Sequence, residues 1–221
     1  MLAKFAAEFI GTALLVATVV GSGAMAQSLT QDIGIQLLIN TISTVFSLGL
    51  LIYLFAGLSG SHFNPLVSIS EFIGKRLSGK SLALYISAQF SGGVLGTLLA
   101  NQMFEKGTLV ASTKVREGSS IWLGEIVATA GLLLIIELIR IQKLQAAAIV
   151  ITSWIGAAYF FTSSTSFANP AVTFARAWTD TFAGIAPESV PLFIVFQILG
   201  ATIGVLTARL FVATKKESSL V

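Results

Sequence analysis

The sequence predicts an all-α membrane protein with six transmembrane helices and two re-entrant half-helices in an inverted repeat. Of its 221 residues, 55% are hydrophobic and only 10% are charged, and the mean hydropathy is +0.89. Soluble domains carry about 25% charged residues, so this composition indicates a polytopic membrane protein. Asn-Pro occurs twice, each time at the end of a long apolar run. A Glu-x-x-x-Thr motif also occurs once in each half of the chain.

Six apolar stretches are long enough to cross a hydrocarbon core of about 30 Å, which takes about 20 residues. They lie near residues 4–26, 34–57, 81–104, 121–141, 144–162 and 191–213. Small residues recur within them, namely Gly92, Gly93, Gly96, Gly200 and Gly204. Such residues let helix backbones approach closely, so we expect a tightly packed helical bundle.

Each Asn-Pro pair predicts the start of a short helix. Asn is a favoured N-cap, and Pro is favoured at the first helical position because its missing N–H would be unpaired there anyway. The apolar runs that follow, 65–73 and 170–179, are too short to span a bilayer. Interrupted helices occur at membrane depth only where they are packed in protein or line a cavity. We therefore expect half-helices that enter from opposite sides and meet at a solute site.

The two halves of the chain repeat one another. Glu8 and Thr12 in the first apolar stretch match Glu125 and Thr129 in the fourth. Each half carries three spans, an odd number, so the second copy enters the membrane from the opposite side. One channel domain is expected over 1–221, with a first repeat at about 1–104, a connecting loop at 105–119, a second repeat at about 120–213 and a short cytoplasmic tail at 214–221.

The basic residues indicate an orientation. If the N-terminus is cytoplasmic, nine Lys and Arg residues fall on the cytoplasmic side and four on the outside. We therefore expect a multi-pass protein of the plasma (inner) membrane with both termini in the cytoplasm. The net charge of +3 is small and scattered, which argues against nucleic acid as a partner. With no cysteine and one histidine, we expect no metal site, no cofactor and no enzymatic activity.

Three motifs together resemble the major intrinsic protein family, the aquaporins and aquaglyceroporins. They are Ala7-Glu8-Phe9-Ile10-Gly11-Thr12, Ser59-Gly60-Ser61-His62-Phe63-Asn64-Pro65-Leu66-Val67 and Phe167-Ala168-Asn169-Pro170-Ala171-Val172. The resemblance covers essentially the whole chain and implies a homotetramer in membrane lipid, with a pore for water and small neutral solutes in each protomer. It makes two triplets the pore motifs: Asn64, Pro65 and Leu66, and Asn169, Pro170 and Ala171. Leu66 departs from the family, in which Ala is usual at that position.

The two asparagines are expected to cap the half-helices through their side-chain oxygens and to turn their amide N–H groups into the pore. The helix N-termini add positive potential at the same place, which orients a permeating hydroxyl as an acceptor and repels cations. The alternative is an ordinary N-cap with no pore role.

Two acids and one histidine accompany these motifs. Glu8 and Glu125 lie within spans, where an ionisable group costs at least about 3 kcal/mol and needs partners. The resemblance implies that they accept hydrogen bonds from the backbone of the re-entrant loops. Proton coupling, as in a transporter, is the alternative. His62, two residues before Asn64, is expected to line the pore or to brace the loop.

The resemblance also implies a selectivity filter at fixed offsets from the two asparagines. The filter positions are Thr44, Ala157, Ser166 and Val172, with Gly156 as the alternative to Ala157. Most of the family carries Arg where this chain has Val172. All four side chains are small and uncharged, so the predicted filter is wide. Arg176, one helical turn after Val172, is expected either to supply charge at the outer mouth or to pair with Asp180.

The expected function is passive passage of small uncharged solutes, including water, glycerol-like polyols and metalloid hydroxides such as arsenous acid. The filter without Arg is similar to that of bacterial family members that accompany arsenic resistance. The alternatives are a plain water or glycerol channel, a proton-coupled secondary transporter, and a scaffolding tetramer with a closed pore.

Overall fold

The computed structural model describes the backbone of residues 1–218 and the side chains of residues 1–211. The described backbone is helical apart from its loops. The helices are α1 (Leu2–Leu29), α2 (Ile33–Ser59), α3 (Pro65–Ile73), α4 (Gly79–Met103), α5 (Ser119–Gln142), α6 (Ala147–Phe161), α7 (Pro170–Arg176) and α8 (Val190–Ser218), with a short 3-10 turn at Pro187–Ser189. The all-α fold class is as predicted. Of the predicted tail, residues 219–221 lie outside the described part, as do the side chains from 212 onwards.

Five helices, α1, α2, α4, α5 and α8, are long and apolar enough to cross a membrane. The predicted span at 144–162 is a shorter helix than expected, because α6 has 15 residues. At 1.5 Å per residue it rises only about 22 Å. Lys143 takes the left-handed conformation and ends α5, and the backbone becomes extended at Thr162. These two breaks set the length of α6.

The half-helices α3 and α7 begin as the sequence predicts. Pro65 and Pro170 are their first residues. The Asn64 Oδ1 accepts a hydrogen bond from the Leu66 N–H at 3.0 Å, and the Asn169 Oδ1 accepts one from the Ala171 N–H at 3.0 Å. The bounds of α3 match the predicted ones. Helix α7 ends at 176 rather than at the predicted 179, so its one arginine, Arg176, is its last residue.

The same glycine contacts hold together one helix pair in each half. Helix α1 packs most extensively against α4, and α5 against α8. A Cβ atom on Gly92 or Gly96 of α4 would overlap the backbone of α1, and one on Gly200 or Gly204 of α8 would overlap the backbone of α5. Because these helices touch at backbone distance, the small residues predicted from the sequence are required at the crossings.

The connecting loop after α4 lies against the segment that follows α7. The Ser112 N–H donates to the Ala177 carbonyl at 2.9 Å, and the Ala186 N–H donates to the Lys114 carbonyl at 2.7 Å. The Asp180 carboxylate accepts from the backbone N–H of Thr113 at 2.9 Å. These bonds bring residues of the connecting loop to the C-terminal end of α7.

Candidate functional site

A cavity of about 340 Å³ runs between the two halves. It extends from Arg140, near the end of α5, to Arg176, at the end of α7, and we call these ends the Arg140 mouth and the Arg176 mouth. Residues of both re-entrant segments line it, together with residues of α1, α2, α5 and α6. The lining side chains used below are Thr44, His62, Asn64, Ile155, Tyr159, Ser166, Asn169 and Val172.

Two asparagines join the re-entrant segments at the cavity wall. The Asn64 Nδ2 donates to the Ala168 carbonyl at 2.8 Å, and the Asn169 Nδ2 donates to the Phe63 carbonyl at 2.7 Å. Each Oδ1 accepts backbone N–H groups of its own half-helix. A primary amide carries two N–H hydrogens, so each asparagine keeps one donor beyond its bond to the opposite loop. Because both side chains line the cavity, a solute acceptor can reach these donors.

The loop backbone before each asparagine is held in an uncommon conformation. Phe63 and Ala168, directly before the asparagines, have φ of 48° and 46°, and Ser61 and Ser166 both have φ of 52°. Residues other than glycine rarely adopt positive φ, and such conformations persist only when their surroundings impose them. The left-handed residues therefore point to a strong external constraint on both loops.

Two buried carboxylates supply that constraint. Glu8 accepts from the backbone N–H groups of His62 at 3.0 Å and Phe63 at 2.7 Å. Glu125 accepts from those of Phe167 at 2.9 Å and Ala168 at 3.0 Å. A glutamine adds a bond to each set, since Gln89 donates to Glu8 and Gln197 donates to Glu125, and Glu8 also accepts from the Ser59 hydroxyl at 2.6 Å. Both carboxylates are fully buried and bonded to loop backbone, as the resemblance implies.

His62 both lines the cavity and braces the first loop. Its Nδ1 lies 2.9 Å from the Ser68 Oγ, and its ring meets Tyr85 edge-on at a centroid distance of 5.0 Å. Ser68 also accepts a hydrogen bond from Gln89, the partner of Glu8. The two roles expected for His62 are thus compatible.

Three of the four predicted filter residues, Thr44, Ser166 and Val172, line the cavity, and Ala157 does not. Ala157 is exposed on the outer surface of α6, so its assignment to the filter is wrong. Gly156 does not line the cavity either, because it faces α2, where an added Cβ would lie 2.8 Å from the Val45 Cγ2.

Tyr159 occupies the place expected for Ala157. It belongs to a stripe of α6 residues at i, i+4 spacing that line the cavity, namely Ala147, Ile151, Ile155 and Tyr159. Its hydroxyl donates to the Thr44 Oγ1 at 3.3 Å, and its side chain is 3% exposed. The cavity wall next to Thr44 is therefore aromatic where the sequence predicts the small side chain of Ala157.

Arg176 lines the cavity at its own mouth. Its guanidinium lies over the Phe167 ring, 3.4 Å from the centroid, and its Nε donates to the Ala183 carbonyl. Asp180 instead accepts from the N–H and the hydroxyl of Thr113, so the expected pairing of Arg176 with Asp180 is wrong. The other expected place for Arg176, at the mouth, agrees with the cavity lining.

Two further cations from the connecting loop lie at the Arg176 mouth. The Arg116 guanidinium is 5.0 Å from the Phe167 ring centroid, and its Nε donates to the Gly184 carbonyl at 2.9 Å. The Lys114 Nζ donates to the Phe182 carbonyl at 2.9 Å. Burial, with smaller contributions from Arg116 and Arg176, lowers the pKa of Lys114 to about 8, and burial lowers that of Arg116 to about 10. All three side chains thus carry positive charge at neutral pH. Sequence reasoning missed Lys114 and Arg116.

The Arg140 mouth has its charges paired. Glu137 bonds to Arg140, to Arg76 at 2.9 Å and to the Ser70 hydroxyl at 3.0 Å. Arg76 also bonds to Glu71 at 2.7 Å. The two mouths therefore differ in how their cations are held: here each arginine bonds directly to a carboxylate, whereas Lys114, Arg116 and Arg176 donate to backbone carbonyls.

Known proteins share this sequence and architecture. A family model described as "Major intrinsic protein" matches residues 1–166. The chain is 47% identical over 196 residues to aquaglyceroporin AqpS of Rhizobium meliloti (strain 1021), covering 88% of this chain and 84% of that protein. It is 30% identical over 237 residues to aquaporin AqpM of Methanothermobacter marburgensis, covering 91% and 94%. The fold is similar to the X-ray structure of the aquaglyceroporin from Plasmodium falciparum, with a TM-score of 0.66, 19% identity and 95% of each chain covered.

Proposed function

This chain belongs to the major intrinsic protein family, and we propose that it conducts water, glycerol-like polyols and neutral metalloid hydroxides such as arsenous acid. It is an integral multi-pass membrane protein of a channel family rather than an enzyme. Passive passage of small solutes is the property of the family, and the choice among neutral solutes is the part that we propose for this chain.

The observation that carries the proposal is the asparagine pair at the cavity wall. Asn64 and Asn169 are held by bonds to the opposite loop, and each keeps a donor for a passing oxygen. Positive ends of two half-helices point to the same place. Donors and positive potential favour an uncharged hydroxyl that accepts hydrogen bonds, and they disfavour cations.

The composition of the filter ring favours the passage of solutes larger than water. It combines the small side chains of Thr44, Ser166 and Val172 with one aromatic, Tyr159. With Val172 in place of arginine, one wall of the ring is apolar and uncharged, which suits the carbon side of a polyol, while the Ser166 hydroxyl, which has no partner among the described residues, is available to its oxygens. A neutral trihydroxide such as arsenous acid presents the same outer hydroxyl groups as a small polyol.

The surroundings that we propose are a plasma membrane and a homotetramer with one pore per chain. Large apolar side chains are exposed along α2, α6 and α8, where lipid or a neighbouring copy would cover them; examples are Phe46, Tyr53, Phe160 and Leu206. We propose that both termini are cytoplasmic, so that the Arg176 mouth faces outwards and the Arg140 mouth faces inwards. The excess of basic residues on the proposed inner side supports this orientation.

The rival functions lack support at the residues they would need. A proton-coupled transporter would use Glu8 or Glu125, yet both carboxylates are occupied by loop N–H groups and a glutamine. If either carboxylate released these N–H groups to bind a proton, the loop would lose the hydrogen bonds that hold its conformation. A closed scaffold would not need a cavity lined from one arginine mouth to the other.

The test is light scattering from proteoliposomes given gradients of water, glycerol, urea and arsenous acid. The parent is compared with Val172→Arg and with Val110→Arg, which makes the same change at an exposed position of the connecting loop outside the cavity. We expect the parent and Val110→Arg to pass all four solutes and Val172→Arg to keep water while losing most of the glycerol and arsenous acid flux. A parent that passes water alone would refute the proposed solute range, and flux that saturates and follows a pH gradient would favour the transporter.

A further inference from the structure

Arg176 is a buried cation that lacks a carboxylate partner. Its side chain is 3% exposed. Among the side chains described, up to residue 211, the ion pairs are confined to Glu71, Arg76, Glu137 and Arg140 at the other mouth. Burying an unpaired charge is costly, and proteins normally compensate for it with a counter-charge.

The contacts of Arg176 leave its terminal amino groups available. One face of the guanidinium is covered by Phe167, and the Nε is used by the Ala183 carbonyl. Within the described part of the chain, the terminal nitrogens have no other hydrogen-bond acceptor, and the side chain lines the cavity. A guanidinium fixed in this way presents two parallel N–H donors to whatever enters the mouth.

A second, independent observation comes from the residue before Phe167, the aromatic ring that Arg176 covers. Ser166 is 3% exposed and lines the same cavity, and its Oγ is buried without a hydrogen-bond partner among the described residues. A buried hydroxyl without a partner is uncommon in folded proteins and needs an explanation. A bound oxygen atom would satisfy both the hydroxyl and the guanidinium.

The other charges at this mouth favour an anion. Arg116 lies on the same Phe167 ring, and Lys114 lies next to it on the connecting loop. The carboxylates in this region are engaged elsewhere. Glu125 accepts from the N–H groups of Phe167 and Ala168 and from the amide of Gln197. Asp180 accepts from Thr113, and Glu117 accepts from the Ser189 hydroxyl. The free donors at this mouth are therefore the terminal nitrogens of Arg176, because Lys114 and Arg116 donate to the carbonyls of Phe182 and Gly184.

We propose that the Arg176 mouth is a binding site for a small planar oxyanion of the carboxylate or nitrate type, held by the Arg176 terminal amino groups and the Ser166 hydroxyl. Arg116 is a positioning residue, which holds the Phe167 ring from the connecting loop and adds positive potential. The planar fork of a guanidinium matches two oxygens of a planar anion. Since the site lies on the conduction path of the proposed function, an anion bound there obstructs the passage of neutral solutes.

The experiment measures glycerol flux in proteoliposomes with potassium nitrate or potassium gluconate, at equal ionic strength and present on both sides of the membrane. Nitrate is small, planar and remains ionised, whereas gluconate carries its carboxylate on a long polyhydroxy chain and is the larger reference anion, which a site for a small anion binds less well. We expect nitrate at millimolar concentration to slow glycerol flux in the parent, relative to gluconate. Calorimetric titration of the purified protein in detergent with nitrate gives an independent readout of binding that needs no flux.

Three variants test the assignment against a control. Each is compared with its own flux in gluconate, so that a change in basal flux does not enter the ratio. Arg176→Gln is expected to weaken nitrate inhibition about tenfold or more, because a charge-assisted bond is lost. Arg176→Lys keeps the charge but lacks the planar pair of N–H donors, so its nitrate inhibition should lie between that of the parent and that of Arg176→Gln. Arg116→Gln should weaken nitrate inhibition about threefold, because only positive potential is lost. Arg209→Gln removes an exposed positive charge of α8 outside the cavity and should match the parent.

The outcomes separate this site from the proposed function. Equal inhibition of the parent and Arg176→Gln, or no inhibition and no heat of binding in the parent, overturns the anion site while leaving the neutral-solute channel intact. Absence of glycerol flux in gluconate overturns the proposed function instead, and calorimetry then still decides the anion site. If Arg176→Gln does not fold, Arg176→Lys and Arg116→Gln carry the decision.

Discussion

The first and second halves of this protein share one framework and differ in what they present to a solute. Each half braces its re-entrant loop with a buried glutamate and a glutamine, Glu8 with Gln89 and Glu125 with Gln197. In each half the same glutamine also bonds to a hydroxyl four residues after the asparagine, on Ser68 or Thr173. The two halves therefore share the bond between glutamate and glutamine and also the bond between that glutamine and a hydroxyl.

The halves diverge along the cavity wall. Three residues after the asparagine the halves still match, since Val67 and Val172 both line the cavity, but one turn later the second half has Arg176, whose charge lies at one mouth. The first half instead leads into α3 and its Glu71, which pairs with Arg76 at the opposite mouth. Matching positions of the repeat thus build the shared framework, while the charge at each mouth is set by positions where the two copies differ.

The largest expected effect comes from breaking the shared bracing. Glu8→Gln and Glu125→Gln replace an acceptor oxygen by an NH₂ group that faces a loop N–H. Each should lower the free energy of unfolding by about 3 kcal/mol, because a buried donor loses its partner and a left-handed loop loses its constraint. Thermal unfolding in detergent measures the loss. The control is Glu105→Gln at an exposed position. A loss in only one of the two variants would mean that the halves are not equivalent.

A smaller, selective effect is expected from Tyr159, which has no counterpart in the predicted filter. Tyr159→Ala removes the aromatic wall opposite Val172 and should raise the ratio of glycerol flux to water flux several-fold. Ala157→Val, two residues earlier on the exposed face of α6, is the matched control and should leave the ratio unchanged. Stopped-flow light scattering gives both fluxes. A shift in the ratio for the Ala157 variant alone would restore the position expected from the sequence.

The smallest expected effect on stability comes from two equivalent hydroxyls, one in each half. Ser61 and Ser166 each lie three residues before an asparagine, but the Ser61 Oγ donates to the Ile52 carbonyl at 3.1 Å, whereas the Ser166 Oγ has no partner among the described residues. Ser61→Ala should therefore lower the free energy of unfolding by about 1 kcal/mol, and Ser166→Ala should change it by less than about 0.5 kcal/mol. The same unfolding measurement decides. Equal losses would show that Ser166 makes a stabilising bond.

Local signals predict the half-helix starts and the helix crossings well. Asn64 and Asn169 cap as expected because an N-cap followed by proline depends on neighbouring residues alone. The glycines at the crossings could be predicted because small residues in apolar helices let the backbones of neighbouring helices approach closely. The bonding of the buried acids could be predicted because a charged group within a membrane span needs a partner.

Features set by tertiary contacts could not be predicted. The inward stripe of α6 ends in Tyr159, but the whole helix is apolar, so no polar face marks its direction. The end of α7 at Arg176 has no proline or glycine signal behind it. Arg116 reaches the mouth only because the connecting loop lies against residues 177–189, and no local pattern encodes that contact.

The crossed asparagine bonds have a consequence for how the protein is made. Asn64 bonds to Ala168 and Asn169 to Phe63, across 104 and 106 residues of chain. Contacts between residues so far apart in sequence form only after the intervening chain has closed into a loop. Until the loop before α7 has been synthesised, Asn64 lacks the Ala168 carbonyl to which it bonds. Because residues of both halves line the cavity, its wall can be completed only after the second re-entrant segment has been made.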